Sequence, residues 1–433
     1  MTAGGPDPAP PDPAAPPPPA EPQSRPSSTY TAFRHPGFRL FLMMRVLSNT
    51  AQLIQSVAVG WQVYDITRQP FDLGLVGLSL FLPQILLALP AGQAADRFPR
   101  QRTVLAALSL STLASTMLLI LTATGYRHVE GILAVLVLFG IGRAFAGPSI
   151  QAVLPAVVPR ADLPNAITWN SSTWQTAVVV GPALGGFLYG LGPVTVYALV
   201  VALLLMALVA TALLRLPPTK PNKERGSIRE LLGGVRFVRD HPILLGAISL
   251  DLFAVLFGGA TALLPVFARD ILAVGPLGLG LLRSAPAVGS ITSAIWLANR
   301  PLRGHVGRSM FIAVAGFGVA TIIFGLSHNV ILSLAALAMA GACDMVSVYV
   351  RQSLVQLGTP DAMRGRVNAV SLVFIGASNE LGEFESGFTA AWFGTTQAVI
   401  VGGVGTLIVV ALWAWRFTEL RQVDRLDRVY GDS

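Results

Sequence analysis

The sequence predicts an all-α protein that lies in a membrane, on three observations. Its 433 residues are 53% hydrophobic and only 12% charged, against about 25% charged in a soluble domain. Those charges gather in short segments between long apolar runs. Twelve such runs reach the ~20 residues a helix needs to cross the hydrocarbon core, at 38–63, 73–95, 103–124, 131–155, 165–190, 194–215, 243–267, 275–298, 308–327, 330–357, 366–393 and 396–417. Gly and Pro recur inside them, as membrane helices tolerate when neighbouring helices satisfy the freed backbone groups.

Charge placement narrows the partners. A net charge of +8 raises nucleic acid, but Lys and Arg fall in the connections and not on one soluble face, which argues against it. The bilayer is the expected partner. Lys and Arg also set the orientation. Alternate connections hold Arg97, Arg100 and Arg102; Arg160; Lys220, Lys223, Arg225, Arg229, Arg236 and Arg239; Arg300, Arg303 and Arg308; Arg364 and Arg366. The intervening ones hold little beyond Arg68, Arg127 and Arg269. A multi-pass protein of the cytoplasmic (inner) membrane with both termini in the cytoplasm is expected.

The longest connection divides the chain. A Pro- and Ala-rich tail over residues 1–30, with no visible signal peptide, precedes an N-terminal six-helix bundle over 31–215. A cytoplasmic linker over 216–242 leads to a C-terminal six-helix bundle over 243–420 and a tail over 421–433. Within the linker, Ile228, Leu231, Leu232, Val235 and Val238 share a helical face opposite Arg229, Glu230, Arg236 and Arg239, the pattern of a helix lying on the membrane surface. The halves echo each other. Residues 157–166 (VVPRADLPNA) and 358–369 (GTPDAMRGRVNA) are both Pro-plus-acid turns leading through Asn-Ala into the next run.

Polar residues inside the apolar runs mark where function sits. Arg45, Asn49, Gln52 and Ser56 form one stripe of the first run, expected to line a substrate cavity, although Arg45 can also snorkel to the interface. Acids stand at mid-membrane: Asp251, Asp344 with Ser347 and Arg351 on its face, then Asn379, Glu380 and Glu383 together, with Glu385 opposite. Carboxylates crowded away from water cannot all be ionised cheaply, which suits proton carriers. Pairing with Arg45 or Arg143, or a wet vestibule for a cationic substrate, stays open beside that reading. We assign Asp344 with Arg45, Asn49 and Gln52 to the substrate cavity, and Asp251, Glu380 and Glu383, tuned by Arg143, to proton coupling.

Enzyme chemistry is not expected. No phosphate-binding G-x-x-x-x-G-K-[ST] loop exists, so this chain alone does not pump with ATP. The five histidines do not pair at metal-ligand spacing, so neither metal nor cofactor is expected. Gly341–Asp344 lacks the second glycine of a G-x-G-D protease motif. The single cysteine, Cys343, rules out an intrachain disulfide.

Residues 91–102, AGQAADRFPRQR, resemble the G-x-x-x-D-R-x-x-R-[KR] signature of the major facilitator superfamily. Residues 180–186, VGPALGG, resemble the G-P-x-x-G-G motif of its exporters. Over residues 33–427 the chain resembles the branch that includes the bacterial enterobactin exporter and macrolide efflux proteins, on FRHPGFRLF (33–41), ADRFPRQR (95–102), LLGGVRFV (231–238) and TPDAMRGRVNA (359–369). The resemblance implies twelve helices in two six-helix bundles around a central cavity. It implies a secondary transporter exporting a small siderophore-like or drug-like molecule against proton entry. Gly92, Asp96, Arg97, Arg100 and Arg102 become a cytoplasmic gate, with Gly92 in close helix packing. Gly181, Pro182, Gly185 and Gly186 become a packing seam, and Arg143 takes part in proton transfer. A proton-coupled importer or facilitator, and a transport-inactive membrane sensor, remain as alternatives.

Overall fold

The computed structural model describes residues 30–216, 228–302 and 304–424. The tail expected before Tyr30, the linker residues Lys220, Lys223 and Arg225, Arg303 and everything after Asp424 lie outside the described residues.

After a short turn, Thr31–Arg34, the chain enters α1 (Pro36–Thr67), then α2 (Pro70–Leu86) and α3 (Ala88–Arg97), which meet at 55° as one broken span. The bend follows from Pro90, which has no N–H to offer the Leu86 carbonyl. Then come α4 (Arg100–Ala123), α5 (Val129–Val157), α6 (Leu163–Leu191) and α7 (Pro193–Leu213). Helix α8 (Ile228–Asp240) leads into α9 (Pro242–Phe257), continued through a 3₁₀ turn, Ala260–Leu263, the short α10 (Leu264–Val266) and a π-helical turn, Phe267–Ile271. The second half closes with α11 (Gly275–Asn299), α12 (Val306–Leu326), α13 (Val330–Leu357), α14 (Asp361–Phe393), α15 (Thr395–Arg416) and α16 (Thr418–Gln422). Prolines in the first turns of α1, α2, α6, α7 and α9 fit because the missing N–H lacks a helical partner there anyway. Asn329 caps α13, its side chain accepting from the N–H groups of Ile331 and Leu332.

Seven helical segments are long and apolar enough to span a bilayer, and the bent α2–α3 pair makes an eighth. The four long helices outside that set are α1, α6, α11 and α14. With them, the long segments number twelve among the described residues.

Packing repeats between halves. In the first half α4 packs on α5 and α7, α2 on α5, and α1 on α6 and α7; in the second α12 packs on α13 and α15, α11 on α13, and α9 on α14 and α15. The turns after α6 and α14 use a glycine with positive φ, Gly192 at 136° and Gly394 at 88°, at equivalent points. Two six-helix bundles are thus one design used twice. The linker helix α8 lies against α14 and α9. There Val238 is buried while Val235 is exposed; the side chains of Ile228, Leu231 and Leu232 lie outside the described residues.

The bundles meet along α2–α14 and α6–α11, and the seam differs between its ends. At the end far from the chain termini the helices touch backbone to backbone. A Cβ on Gly280 of α11 would stand 2.5 Å from the Pro182 carbonyl oxygen of α6, and one on Gly387 of α14 would stand 2.7 Å from the Gly74 nitrogen of α2. Gly186 faces Pro276 and Gly280, while Gly181 and Gly185 face Leu53 and Ile54 of α1. Small residues permit this approach, which drives helix association in lipid. Ser284 of α11 donates to the Val179 carbonyl at 2.7 Å. An apolar cluster of Val57 and Trp61 with Leu264, Phe267, Leu279 and Leu282 completes the seal. Near the termini, Gly92 of α3, Gly147 of α5 and Gly365 and Gly376 of α14 have no described atom within 4 Å of where a Cβ would stand.

A charged clasp crosses the sealed end. Asp65 and Arg68 of the first half face Arg269 and Asp270 of the second, with opposite order of charge. Arg269 pairs with Asp65, and Arg68 lies 3.3 Å from Asp270. The Tyr64 hydroxyl donates to Asp270, and the Arg269 guanidinium lies 5.5 Å from the Trp61 ring centroid. At the opposite end, His35 bonds Asp162 at 2.8 Å and holds its carboxyl below the usual carboxylate range, tying the entry to α1 to the α5–α6 turn.

Two predictions follow from this asymmetry. Gly186→Leu and Gly280→Leu, by overfilling the sealed end, should lengthen the distance between spin labels on Leu191 and Leu277; Gly190→Leu, at open space, should not. For the clasp, exposed ion pairs contribute about 0.2–1 kcal/mol each, so Asp65→Arg should raise opening of the sealed end about fivefold at most, by the usual 1.4 kcal/mol per decade. Thiol labelling of Ser284→Cys, with Cys343 replaced by Ser, reads that opening. The exchange Asp65→Arg with Arg269→Asp should return the rate to its starting value, and its failure to do so would remove the ion pair as a determinant.

Candidate functional site

A cavity of about 470 Å³ lies between the bundles, below the sealed end. The volume falls within the 300–1,000 Å³ of small-molecule sites. Helix α1 brings Gln52, Gln55 and Ser56 to it, α5 brings Phe139 and Arg143, and α6 brings Trp174 and Pro182. From the second half come Thr261, Arg283 of α11, and Asn379, Glu380 and Glu383 of α14. The last three share a face because residues three and four apart stack on a helix.

Two guanidinium groups and two carboxylates therefore meet in one space, and their contacts cross between halves. Arg143 Nη1 is 3.9 Å from Glu380 Oε1, an ion pair without hydrogen-bond closeness. Arg283 Nη1 donates to Ser56 Oγ at 3.0 Å. Glu383 packs on Gly77 of α2, where a Cβ would come within 3.1 Å of its side chain. Gln55 is fixed from behind, accepting from Ser115 Oγ at 2.6 Å. Such an arrangement can hold a polar organic molecule between aromatic walls and re-pair its charges when a proton or ligand arrives.

Several residues singled out from the sequence come together here: Gln52, Arg143, Glu380 and Glu383. Others do not. Arg45 lies nearer the termini and donates from Nε to Asn170 Oδ1 at 3.1 Å, and is not among the lining residues. Asn49 is buried with its Nδ2 unpartnered, and also does not line the cavity. The α1 stripe thus divides, because α1 touches α5, α6, α7 and α11 along its length. Asp344 is not in the cavity wall. Asp251 is separate too, buried inside the second half, where Arg351 Nε lies 3.2 Å from its Oδ2 and Ser347 Oγ donates to its Oδ1 at 3.2 Å. Ser347 and Arg351, read from sequence as companions of Asp344, therefore face Asp251 instead, Ser347 by a hydrogen bond and Arg351 by an ion pair. Glu385 accepts from Thr389 at 2.8 Å, away from Glu383.

The segment around Gly92 is helical, the end of α3, and runs through Arg97. The close helix packing at Gly92 expected from the sequence is not seen among the described residues, where nothing lies within 4 Å of its Cβ position. Arg97 and Arg102 are exposed, Arg100 Nε is buried with no hydrogen-bond partner among the described residues, and the side chain of Asp96 lies outside them. Sequence reasoning passes over Arg283, although a lone arginine in an apolar run is itself a signal. It also passes over Trp174 and Thr261, whose types carry no such signal.

Known proteins match over nearly the whole chain. The model of a family described as transmembrane secretion effector matches residues 27–431. The enterobactin exporter EntS of Shigella boydii serotype 18 is 26% identical over 396 residues, covering 90% of this chain and 93% of its own. That of Escherichia coli O139:H28 gives the same figures, 26% over 396 residues, 90% and 93%. Among solved structures, a bacterial homologue of the human lysosomal transporter Spinster, inward-facing and unoccupied, superposes with a TM-score of 0.72 at 14% identity, over 89% of this chain and 98% of its own. A bacterial homologue of the iron transporter ferroportin, inward-facing, gives 0.68 at 17% identity, over 89% and 98%. Both share the two-bundle architecture. By the match of residues 27–431, the chain belongs to the transmembrane secretion effector family, a group of multi-pass transporters with the major facilitator fold.

Proposed function

We propose that this chain exports a small organic molecule, siderophore-like or drug-like, across the cytoplasmic membrane in exchange for protons. The observation that carries this reading is a ligand-sized cavity with two arginines and two glutamates drawn from both bundles, sealed at one end and open toward the other. The curated relatives named as enterobactin exporters give the direction and the type of cargo.

In this reading both termini are cytoplasmic, since the arginine-rich connections lie at their end. The structure is then the inward-open state. The moving bodies are residues 31–215 and 243–420, joined by a linker over 216–242, with tails over 1–30 and 421–433. Cargo enters from the cytoplasm past Arg45 and rests against Gln52 and Trp174. Glu380 and Glu383 hold protons, and Arg143 exchanges its attraction to Glu380 for the cargo or for a newly ionised carboxylate. Rocking then breaks the clasp and brings the bundles together at Gly92, Asp96, Arg97, Arg100 and Arg102. The glycines at 181, 185 and 186 with Pro182 form the bearing. Charge re-pairing at one point thus changes which end is sealed.

Inside-out membrane vesicles with an acid interior test this reading, using enterobactin and a panel of macrolides and dyes. The wild type should concentrate at least one compound. Glu380→Gln and Glu383→Gln should reduce gradient-driven accumulation by about a hundredfold, the lower end of what a positioned proton-transfer group contributes. Exchange of cargo at equilibrium should continue in both. Accumulation only in right-side-out vesicles would instead show uptake, and no movement of any compound would remove the export reading for these substrates.

A further inference from the structure

Two opposite charges in the cavity wall lack a partner of their own. Arg283 stands on α11 and Glu383 on α14, both in the second half and both lining the cavity. Neither makes an ion pair among the described residues. The other two charges of the wall, Arg143 and Glu380, face each other at 3.9 Å.

The first half holds each of the unmatched charges aside. Arg283 Nη1 donates to Ser56 Oγ of α1 at 3.0 Å, and a Cβ on Gly60, one turn along, would stand 3.9 Å from Nη2. Ser56 donates its own proton to the Leu53 carbonyl at 2.9 Å, so its oxygen is left to accept. The other N–H groups of the guanidinium have no hydrogen-bond partner among the described residues. Glu383 rests on the backbone of Gly77 of α2, where an added Cβ would stand 3.1 Å from its Cβ and its Oε2. It too makes no hydrogen bond among the described residues.

An arginine and a glutamate free to meet away from water would close on each other. Here they stay apart and leave a gap with a donor fork on one side and an acceptor on the other. A purely cationic guest would leave Arg283 unanswered, and a purely anionic one would leave Glu383. Either would strand a desolvated charge, the costly arrangement. A guest carrying both charges answers both. Phe139 and Trp174 in the same wall offer ring faces for an aromatic body.

We infer that the cavity seats a zwitterion, with an acidic group on Arg283 and an ammonium on Glu383, carried on an aromatic body against Phe139 and Trp174. Arg283 thus selects for the acid and Glu383 for the amine, while Ser56 is a positioning residue that aims the guanidinium. The Arg143–Glu380 pair answers itself and stays out of the contact. This names the cargo class of the export reading and rests on it for transport; binding does not.

Isothermal titration of the full chain in lipid nanodiscs near neutral pH tests the seat with indoles that differ in charge. Free L-tryptophan has both charges, tryptamine the ammonium alone, and indole-3-propionate the carboxylate alone. L-Tryptophan should bind about tenfold tighter than either, or more, as one charge-assisted hydrogen bond contributes. Arg283→Gln should reduce it to the affinity of tryptamine without weakening tryptamine. Glu383→Gln should reduce it to the affinity of indole-3-propionate without weakening that acid. Ser56→Ala should weaken both carboxylates and spare tryptamine. Misfolding lowers all three together and cannot give this crossed pattern. Equal affinities in the wild type, no binding of any of the three, or folded variants that lower all three alike overturn the inference. The crossed pattern in a chain that moves no tested compound sinks the export reading alone. Vesicles that concentrate a compound while the three indoles bind alike sink the zwitterion seat and leave export standing.

Discussion

An ionised side chain taken from water into a low-dielectric interior loses several kcal/mol of solvation unless a partner or water replaces it. The charges within the long helices are arranged around that constraint. Glu380 faces Arg143, Arg283 is bonded to Ser56 in a cavity that also holds Glu383, and Asp251 faces Arg351. Helices α1, α6, α11 and α14, with α5 through Arg143, give up apolar faces to host a polar cavity, while more apolar helices complete the bundles around them.

The same constraint explains why the seal lies to one side of the charges. Dispersion and close backbone contact can close a seam only where no charge must be dehydrated. The glycine pairs of α6–α11 and α2–α14 lie beyond the cavity, and the clasp lies further out, where its ion pairs remain part-exposed and individually weak. A seal built from short-range packing is strong when complete and loses most of its contacts with a small separation. That steepness is what a two-state gate needs. The clasp adds register more than strength, since its alternating charges match in one alignment.

Local features were legible in the sequence. Span lengths, the repeated turns before the fifth and eleventh spans, the small-residue run 181–186 and the Asn379–Glu383 face each depend on neighbours a few residues apart. Partners across the fold were not. Ser56 and Arg283 are 227 positions apart, and Arg269 and Asp65 are 204 apart. No local pattern announces either pair. Arg351 illustrates the difference: its face on α13 could be read from helical spacing, but its bond to Asp251 depends on how α9 packs. Gly92 shows another limit. On the proposed reading its neighbours change between states, so one sequence signature serves two environments.

Helix α14 is where these separate constraints meet. Its 33 residues touch α2 at the sealed end through Gly387, enter the cavity through Glu380 and Glu383, and bond Arg351 through Ser371 nearer the termini. A rigid helix transmits displacement along its length, so a charge changed at Glu380 acts on the same body that holds Ser371 and Gly387. On the proposed reading, cargo and proton need not compete for a single carboxylate. They need only prefer different positions of α14, because any ligand that favours one position shifts the affinity for the other by the same factor.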